Sequence, residues 1–164
     1  MSPPIPVEVG SVTLSAGSLA AGDVLSTASV SAQASATTSA AAGSTHALTP
    51  SAQTFASGSA SNYAISYADG TLTINPRPIT ITATSGQTKV YGNSDPTLTY
   101  AVEANGAGRG LVGSDSFSGV LSRANGESVG SYAIGQGTLA NSNYAISYTG
   151  ASFGISARPI TVAA

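Results

Sequence analysis

The string SNYAISY occurs twice in this chain, at Ser61–Tyr67 and again at Ser142–Tyr148, and the two copies are 81 residues apart. The same spacing carries the string RPIT at Arg77–Thr80 onto RPIT at Arg158–Thr161. One constant spacing across both strings indicates a duplicated structural unit rather than two isolated motifs. The chain is therefore constrained to fold as tandem copies of one small supersecondary unit.

The repeat divides the chain into three parts. We predict a divergent module at residues 1–76, a complete module at 77–157, and the first strand of a truncated further copy at 158–164. Upstream of the shared strings the alignment needs a spacing of 86 rather than 81, which sets His46 against Tyr132. The opening MSPPIPVEV lacks the basic and apolar regions of a signal peptide, so we expect an internal fragment of a longer array.

Apolar and polar residues alternate at the closing end of each copy. Tyr63–Tyr67 and Tyr144–Tyr148 both read YAISY, with Tyr, Ile and Tyr on one face. Asp69-Gly70 in the first copy and Thr149-Gly150 in the second follow as turn residues, and a second alternating run comes after each. This pattern predicts a closing β-hairpin in both copies.

The remaining pattern also favours strands. No apolar spacing of three and four residues persists over three turns, as an amphipathic helix would require. Pro76-Arg77-Pro78 marks a junction or a sheet edge, because proline cannot donate to a ladder. Val7, Val9 and Val12 suggest further strands near the start. Residues 32–44, nearly all Ala, Ser and Thr, fit a loop, a strand of small residues or, less well, a helix.

We therefore predict a mainly β fold. It consists of two tandem small β modules, β-grasp-like or β-sandwich, each with at most a short helical turn, in an extended arrangement.

Composition excludes several function classes. Only 7% of the residues are charged and the net charge is −2, against about a quarter charged in an average domain, so no nucleic-acid footprint is present. No apolar run is long enough for membrane insertion. Cysteine is absent, which excludes disulfides and Cys-based zinc sites. Low charge with many Ser, Thr and Gly residues favours a bacterial surface or secreted protein.

Several short motifs of the second copy occur in a recognisable order. They are Tyr91-Gly92, Asp95-Pro96 and Tyr100, then LVGSDSFSG at 111–119, then Gly130, Tyr132, and the closing GTLANSNYAISY with Tyr144 and Tyr148. In this order and spacing they resemble the MBG domain of the YG type, which is found in tandem in large bacterial surface proteins of the filamentous-haemagglutinin kind. The resemblance implies β-rich stalk modules, with which a β-grasp-like core is associated. The first copy shares the closing segment but lacks Tyr-Gly and Asp-Pro.

The resemblance also implies a function. We expect a structural stalk module of a large secreted or surface-anchored bacterial adhesin, extracellular or at the cell surface. It would space an adhesive region from the cell in adhesion or biofilm formation. The expected partners are neighbouring repeats of the same chain, with extracellular polysaccharide or a host or other cell surface as further candidates. The alternative is a module that binds glycan or protein directly, with Tyr63 and Tyr67 as candidate ligand contacts.

Acidic residues raise the question of a metal. Asp95 before Pro96 is typical of a turn residue that accepts backbone N–H bonds. It is alternatively a calcium ligand together with Asp115 or Glu103. Calcium takes six to eight oxygen ligands, and the sequence contains no dense acidic loop. We therefore expect no cofactor, with calcium as the one metal to consider.

Few residues could support catalysis. His46 is the only histidine, so a His pair for a metal is excluded, and no nucleophile motif accompanies it. Arg123 and Glu127 could pair across a turn as a solvated or partly shielded ion pair, and an exposed pair contributes little stability. Lys89 is the only lysine, and a covalent cross-link from it to an Asn would need a buried triad with a nearby carboxyl group, which the sequence does not position. We expect that the chain is not an enzyme.

Overall fold

The computed structural model describes residues 14–164, so the strands suggested by Val7, Val9 and Val12 lie outside the described residues. The chain consists of two compact units, and the boundary along the sequence lies between Asn75 and Pro76. We call them unit 1 and unit 2 and describe each by itself. Within the described range, no helix is both long and apolar enough to cross a bilayer.

Unit 1 consists of short strands. They are β1 (Val24–Leu25), β2 (Ser29–Ala32), β3 (Thr45–Ser51), β4 (Phe55–Ser57) and β5 (Gly70–Thr73). A single 3-10 turn spans Ala60–Asn62. Strands β2, β3 and β5 form an antiparallel sheet, and β1 pairs antiparallel with β4. Residues 33–44 between β2 and β3 contain turns but no strand or helix, which is the loop alternative.

Unit 2 contains seven strands. They are β6 (Arg77–Ala83), β7 (Gln87–Val90), β8 (Tyr100–Val102), β9 (Ser122–Arg123), β10 (Gly130–Gly135), β11 (Tyr144–Thr149) and β12 (Ala151–Ser156). They form a four-stranded sheet in the order β7-β12-β10-β9 and a three-stranded sheet in the order β11-β6-β8. The prediction of a mainly β chain is confirmed.

The core of unit 2 draws side chains from both of its sheets. Ile81 and Ala83 come from β6, while Ile134 comes from β10 and Phe153 from β12. Phe153 and Ile81 are fully buried, so the alternation along these strands points one face of each sheet inward. Two sheets that share one core form a sandwich, which is the second of the two predicted architectures.

Strand β6 occupies the middle of its sheet. It pairs in parallel with β11 over six residue pairs, from Arg77 opposite Tyr144 to Thr82 opposite Thr149. It pairs antiparallel with β8 only at its far end, from Ile81 to Ala83. Pro78 therefore stands where β11 is the only flanking strand. Both predicted meanings of the proline segment fit this position, because it follows the boundary between the units and one side of β6 is unpaired there.

The predicted closing hairpin of the second copy does not form. Both of its strands exist, but β11 belongs to the sheet of β6, whereas β12 lies between β7 and β10. Both edges of β12 are thus taken, and β11 finds its partner in the other sheet. Gly150 is the corner, where an added Cβ would lie 2.9 Å from the Ile134 carbonyl oxygen. A larger residue would therefore force the corner away from β10.

The same segment behaves differently in the first copy. Residues 64–69 form no strand, so the hairpin predicted there is absent too, and only β5 remains. The sheet around β5 nevertheless matches its counterpart. His46 lies opposite Leu72 in unit 1, as Tyr132 lies opposite Phe153 in unit 2. Unit 1 thus retains the equivalent of the β10–β12 pair, whereas its YAISY segment makes no pairing like that of β11 with any strand of residues 14–75.

Residues 157–164 follow β12 and form no strand. Ile160 and Val162 are exposed to 83% and 85%. They are the repeat counterparts of Ile79 and Ile81, which are fully buried in β6. The prediction that this segment opens a further module stays a prediction.

Ile79 and Ile160 form a matched pair for a stability test. Ile79→Ala removes a fully buried side chain, and we expect a loss of about 2–5 kcal/mol in the unfolding free energy of unit 2. Ile160→Ala removes an exposed side chain at the same repeat position and should cost less than about 0.5 kcal/mol in dilute solution. Chemical denaturation of both variants measures the difference, and equal losses would contradict the assigned position of β6.

Candidate functional site

Four charged residues from distant parts of the second copy meet at one place. Lys89 Nζ lies 2.6 Å from Asp95 Oδ1 and 2.5 Å from Glu127 Oε2. Arg123 Nε lies 2.6 Å from Asp95 Oδ2, and Arg123 Nη2 lies 2.5 Å from Glu127 Oε1. We call these four residues the ion cluster. Each cation contacts both carboxylates, so the cluster is a closed network rather than a set of separate pairs.

The guanidinium of Arg123 uses its whole donor capacity inside unit 2. Its Nε and Nη2 groups bond Asp95, and Nη2 also bonds Glu127. Its Nη1 group donates to the carbonyl oxygens of Ala124 at 3.0 Å and Gly126 at 2.5 Å. A guanidinium has five N–H donors, and five bonds are present. Arg123 is therefore saturated by the protein itself and has no donor left for a ligand.

The two cations of the cluster are buried, although its carboxylates reach solvent. The side chains of Lys89 and Arg123 are 4% and 9% exposed, against 67% for Glu127. The Arg123 guanidinium carbon lies 5.3 Å from the ring centre of Tyr132 and 5.4 Å from that of Phe153. Cation–π attraction at these distances ties the cluster to the edge of the core. The Arg123–Glu127 pair is therefore the partly shielded one of the two expected kinds.

The cluster keeps its carboxyl groups ionised. Hydrogen bonds from Arg123 and then Lys89 lower the pKa of Asp95 to about 2. Lys89 and Arg123 likewise lower the pKa of Glu127, and the pKa of Lys89 is raised by Asp95 and Glu127. A bond between Lys89 and Asp95 would require an uncharged amine and a protonated carboxyl group. Arg123 therefore opposes the covalent cross-link that these neighbours would otherwise permit.

The three acidic residues considered for calcium do not meet. Asp95 belongs to the ion cluster, and Glu103 accepts hydrogen bonds from Arg109, which lowers its pKa to about 2. Asp115 accepts a hydrogen bond from the hydroxyl of Tyr144. Among residues 14–164, no group of three or more His, Cys, Asp or Glu side chains is placed to hold a metal ion.

Tyr91 and Gly92 form the turn that follows β7. Gly92 has a φ of +83°, a left-handed conformation that disfavours other residues. The backbone N–H of Tyr91 donates to Ser156 O at 2.9 Å, while its side chain is half exposed. Arg158 contacts the same turn through long hydrogen bonds of 3.4 Å to Tyr91 O and 3.5 Å to Asn93 Oδ1.

Tyr144 binds a four-residue turn through its hydroxyl group. The hydroxyl accepts a hydrogen bond from the Val112 N–H at 3.0 Å and donates to Asp115 Oδ2 at 2.6 Å. The turn itself is closed by Asp115 N–H donating to Val112 O at 3.1 Å. Burial and the bond to Asp115 raise the pKa of Tyr144. We call this arrangement of a tyrosine hydroxyl and a turn a tyrosine clasp.

Unit 1 contains a second tyrosine clasp with the same geometry. Tyr63 OH accepts from the Ala20 N–H at 3.0 Å and donates to Asp23 Oδ2 at 2.6 Å. The Asp23 N–H closes the turn on Ala20 O at 3.1 Å. A phenylalanine ring lies beside each tyrosine, at 5.4 Å for Phe55 and 5.6 Å for its counterpart in unit 2. The divergent copy therefore shares more than its closing segment.

The tyrosine clasps were not predicted from the sequence, although both copies contain a Leu and an Asp at the same spacing. Leu19 and Asp23 have the same spacing as Leu111 and Asp115, but the offset between these pairs is 92 residues rather than 81 or 86. The candidate contact Tyr63 is thus engaged within unit 1. Tyr67 is 46% exposed, and its hydroxyl donates to Gln53.

The other motif residues serve packing and turns. Tyr100 and Tyr132 are partly buried and pack against the core, as does Tyr148, whose hydroxyl donates to Ile134 O at 3.2 Å. Gly130 begins β10 opposite Ile155. Among these residues, Tyr132 contacts the ion cluster directly, since the Arg123 guanidinium lies over its ring.

A surface groove of about 420 Å³ adjoins the ion cluster. Asp95 and Arg123 are among its polar lining residues, and Pro96, Tyr100 and Val120 are among its apolar ones. Val120 is 63% exposed. The groove is thus open and partly apolar.

His46 is buried in unit 1 between two hydroxyl groups. Its Nδ1 lies 3.0 Å from Ser35 Oγ, and its Nε2 lies 3.0 Å from Ser44 Oγ. Ser44 Oγ also donates to Ala41 O at 2.6 Å, which leaves it to accept from the imidazole N–H. This set of contacts is that of a hydrogen-bonded core histidine.

Residues 79–154 match a family model described as MBG domain (YGX type). Unit 2 contains an MBG domain. The match covers β6 from its first buried isoleucine through most of β12, and so includes the ion cluster and the Tyr144 clasp. Neither the curated proteins nor the solved structures gave a significant match to the chain.

The clasp of the MBG domain is testable by removing one oxygen. Tyr144→Phe leaves the Val112 N–H and Asp115 without this partner, and we expect a loss of about 1–3 kcal/mol in unfolding free energy. Tyr91→Phe is the control, because the Tyr91 side chain is half exposed, and should change stability little. Denaturant titration compares the two variants, and an unchanged Tyr144→Phe variant would contradict a stabilising clasp.

The ion cluster should make the MBG domain sensitive to acid. The folded-state pKa of Asp95 is about 2, below the value near 4 of an unfolded chain, so its stabilising contribution is present above about pH 4. The contribution is lost as the pH falls from about 4 through 2. We expect that the melting temperature of the MBG domain depends less on pH over this range in the Asp95→Asn variant than in the wild type. Asp69→Asn, which changes an exposed residue of unit 1, is the control and should leave this pH dependence unchanged. If the melting temperature of Asp95→Asn falls with pH as steeply as that of the wild type, Asp95 is not the source of the acid sensitivity.

Proposed function

We propose that this chain is a structural repeat segment of a large bacterial surface or secreted protein. In this role it acts as a stalk that spaces an adhesive region from the cell during adhesion or biofilm formation. The MBG domain in unit 2 and the repeated elements of unit 1 support a role in which one folded unit recurs along a chain. The neighbouring repeats of the same chain are its main partners, and its location is extracellular or at the cell surface.

The observation that carries the proposal is the position of the two end strands of unit 2. The chain enters this unit on β6, which lies between β11 and β8, and leaves on β12, which lies between β7 and β10. Tension along the chain therefore acts on two paired strands. β11 holds β6 over six residue pairs and β8 holds it at its far end, while β7 and β10 hold β12 on both sides. An end strand at a sheet edge would instead peel away one hydrogen bond at a time. This arrangement suits a module that transmits force between its neighbours.

The polar residues of the domain also favour a structural role. Arg123 spends all five donors within unit 2, and the Tyr144 clasp is closed in the same way. His46 is held between hydroxyl groups in the core of unit 1. A catalytic or binding centre needs groups that are free to act on a second molecule. The proposal therefore assigns no catalytic step to this chain.

Direct ligand binding is the second candidate function, and the groove beside Tyr100 favours it. Its mixed polar and apolar lining would suit a sugar or an extended peptide. Saturable binding of a glycan by the purified chain, abolished by Tyr100→Ala, would decide for this candidate and against a pure stalk.

Single-molecule pulling tests the stalk function. With handles at residues 77 and 156, tension follows the path that a stalk would impose, and we expect unit 2 to rupture at high force. The control places handles at Ser122 and Gly135, which lie directly opposite each other on β9 and β10. Its edge pair should open at clearly lower force, because its bonds break in sequence. Equal forces for both geometries, or a lower force along the chain, would contradict the proposal.

A further inference from the structure

The two repeat strings of this chain pair with each other inside unit 2. The RPIT string opens β6 and the YAISY string forms the first five residues of β11. They run parallel, with Arg77 opposite Tyr144, Ile79 opposite Ile146, and Ile81 opposite Tyr148. The structure therefore displays a complete recognition pair, with a defined register, between two sequences that each occur once more in the chain.

The other YAISY string, Tyr63–Tyr67 in unit 1, is not paired in this way. Within residues 14–164 it forms no strand, and Ile65 and Tyr67 are 39% and 46% exposed. Its counterparts in β11, Ile146 and Tyr148, pack against the core of unit 2. This string, which we call the acceptor segment, thus has the side chains of β11, and no strand within residues 14–164 pairs with it as β6 pairs with β11.

The second RPIT string begins the complementary element. Residues 158–164 read RPITVAA, where β6 reads RPITITA, and we call them the donor segment. Ile160 and Val162 are 83% and 85% exposed, whereas the corresponding Ile79 and Ile81 are fully buried. In the structure Arg158 makes only long contacts, of 3.4 and 3.5 Å, to the Tyr91 turn. Little holds the donor segment in place within its own unit.

We propose that the donor segment of one copy of this chain adds as a parallel strand to the acceptor segment of a second copy. The register of β6 and β11 carries over directly, because both spacings are 81 residues. Arg158 lies opposite Tyr63, Ile160 opposite Ile65, and Val162 opposite Tyr67. Backbone hydrogen bonds supply the pairing, and the alternate apolar side chains set its register.

The clasp of unit 1 supports this geometry. Tyr63 is fixed by Asp23 and stacks on Phe55, as Tyr144 is fixed by Asp115 beside its own phenylalanine. The first residue of the acceptor segment is therefore already positioned like the first residue of β11. In that setting Arg77 lies opposite Tyr144, and the donor segment places Arg158 at the equivalent point, opposite Tyr63.

Such an interface is head-to-tail, because the two segments are different surfaces of the same chain. Each copy offers one donor and one acceptor, so association continues beyond a dimer unless the assembly closes into a ring. The inference goes beyond the stalk function, since it concerns how copies join end to end, and it holds or fails independently of the pulling experiment.

Two single variants separate the donor from the acceptor. Ile160→Asp places a charge on the exposed donor, and Ile65→Asp places one on the exposed acceptor, so both chains should stay folded. Sedimentation velocity over a concentration series should show self-association of the wild type. Each variant alone should be monomeric, with an apparent dissociation constant raised roughly tenfold or more. Val129→Asp, at another exposed apolar residue, should associate like the wild type.

Mixing the two variants is the decisive step. The Ile65→Asp chain retains its donor and the Ile160→Asp chain retains its acceptor, so the mixture should form a one-to-one dimer and nothing larger. A wild type that remains monomeric at every concentration would overturn the proposal. So would association that either variant leaves intact, or a mixture that stays monomeric. Circular dichroism of each variant confirms that the chains are folded before they are compared.

Discussion

The parallel pairing of β6 with β11 is the interaction on which unit 2 depends. It joins the first strand of the MBG domain to one near its end, over six residue pairs. It also sets Ile79 and Ile81 into full burial, and β8 attaches only to the strand so placed. Without β6 the three-stranded sheet would lose its central strand, and β11 and β8 would have no strand between them. In the first copy the identical YAISY segment has no such partner strand within residues 14–164, and it forms no strand.

Two polar networks hold the loops against this framework. The ion cluster links the turn after β7 to the segment between β9 and β10, and the tyrosine clasp ties residues 112–115 to the start of β11. Both networks satisfy their donors within the unit, which is how buried polar groups avoid a desolvation cost. In a chain with only 7% charged residues, four of the charges are thus committed to one structural contact. The proposed structural role rests in part on that use of charge.

The sequence predicted which residues form strands, and which side chains point inward, better than it predicted which strands pair with each other. Alternation in YAISY correctly assigned Tyr144, Ile146 and Tyr148 to an inward face, because a strand has a period of two residues. Alternation does not identify the neighbouring strand, so the closing hairpin was predicted where the chain in fact crosses between sheets at Gly150. The ion cluster was also out of reach. Its members stand up to 38 residues apart, and only the fold brings Lys89 to Glu127.

Amide hydrogen exchange tests the central claim most directly, because the chain carries its own control. The segments Tyr63–Tyr67 and Tyr144–Tyr148 have the same sequence and hence the same intrinsic exchange rates, so any difference comes from structure. If the pairing with β6 is what makes YAISY a strand, the β11 amides should be strongly protected in dilute solution, whereas the amides of Ile65, Ser66 and Tyr67 should exchange rapidly. Equal protection of the two segments would contradict it, since YAISY would then form a stable strand without a β6 beside it.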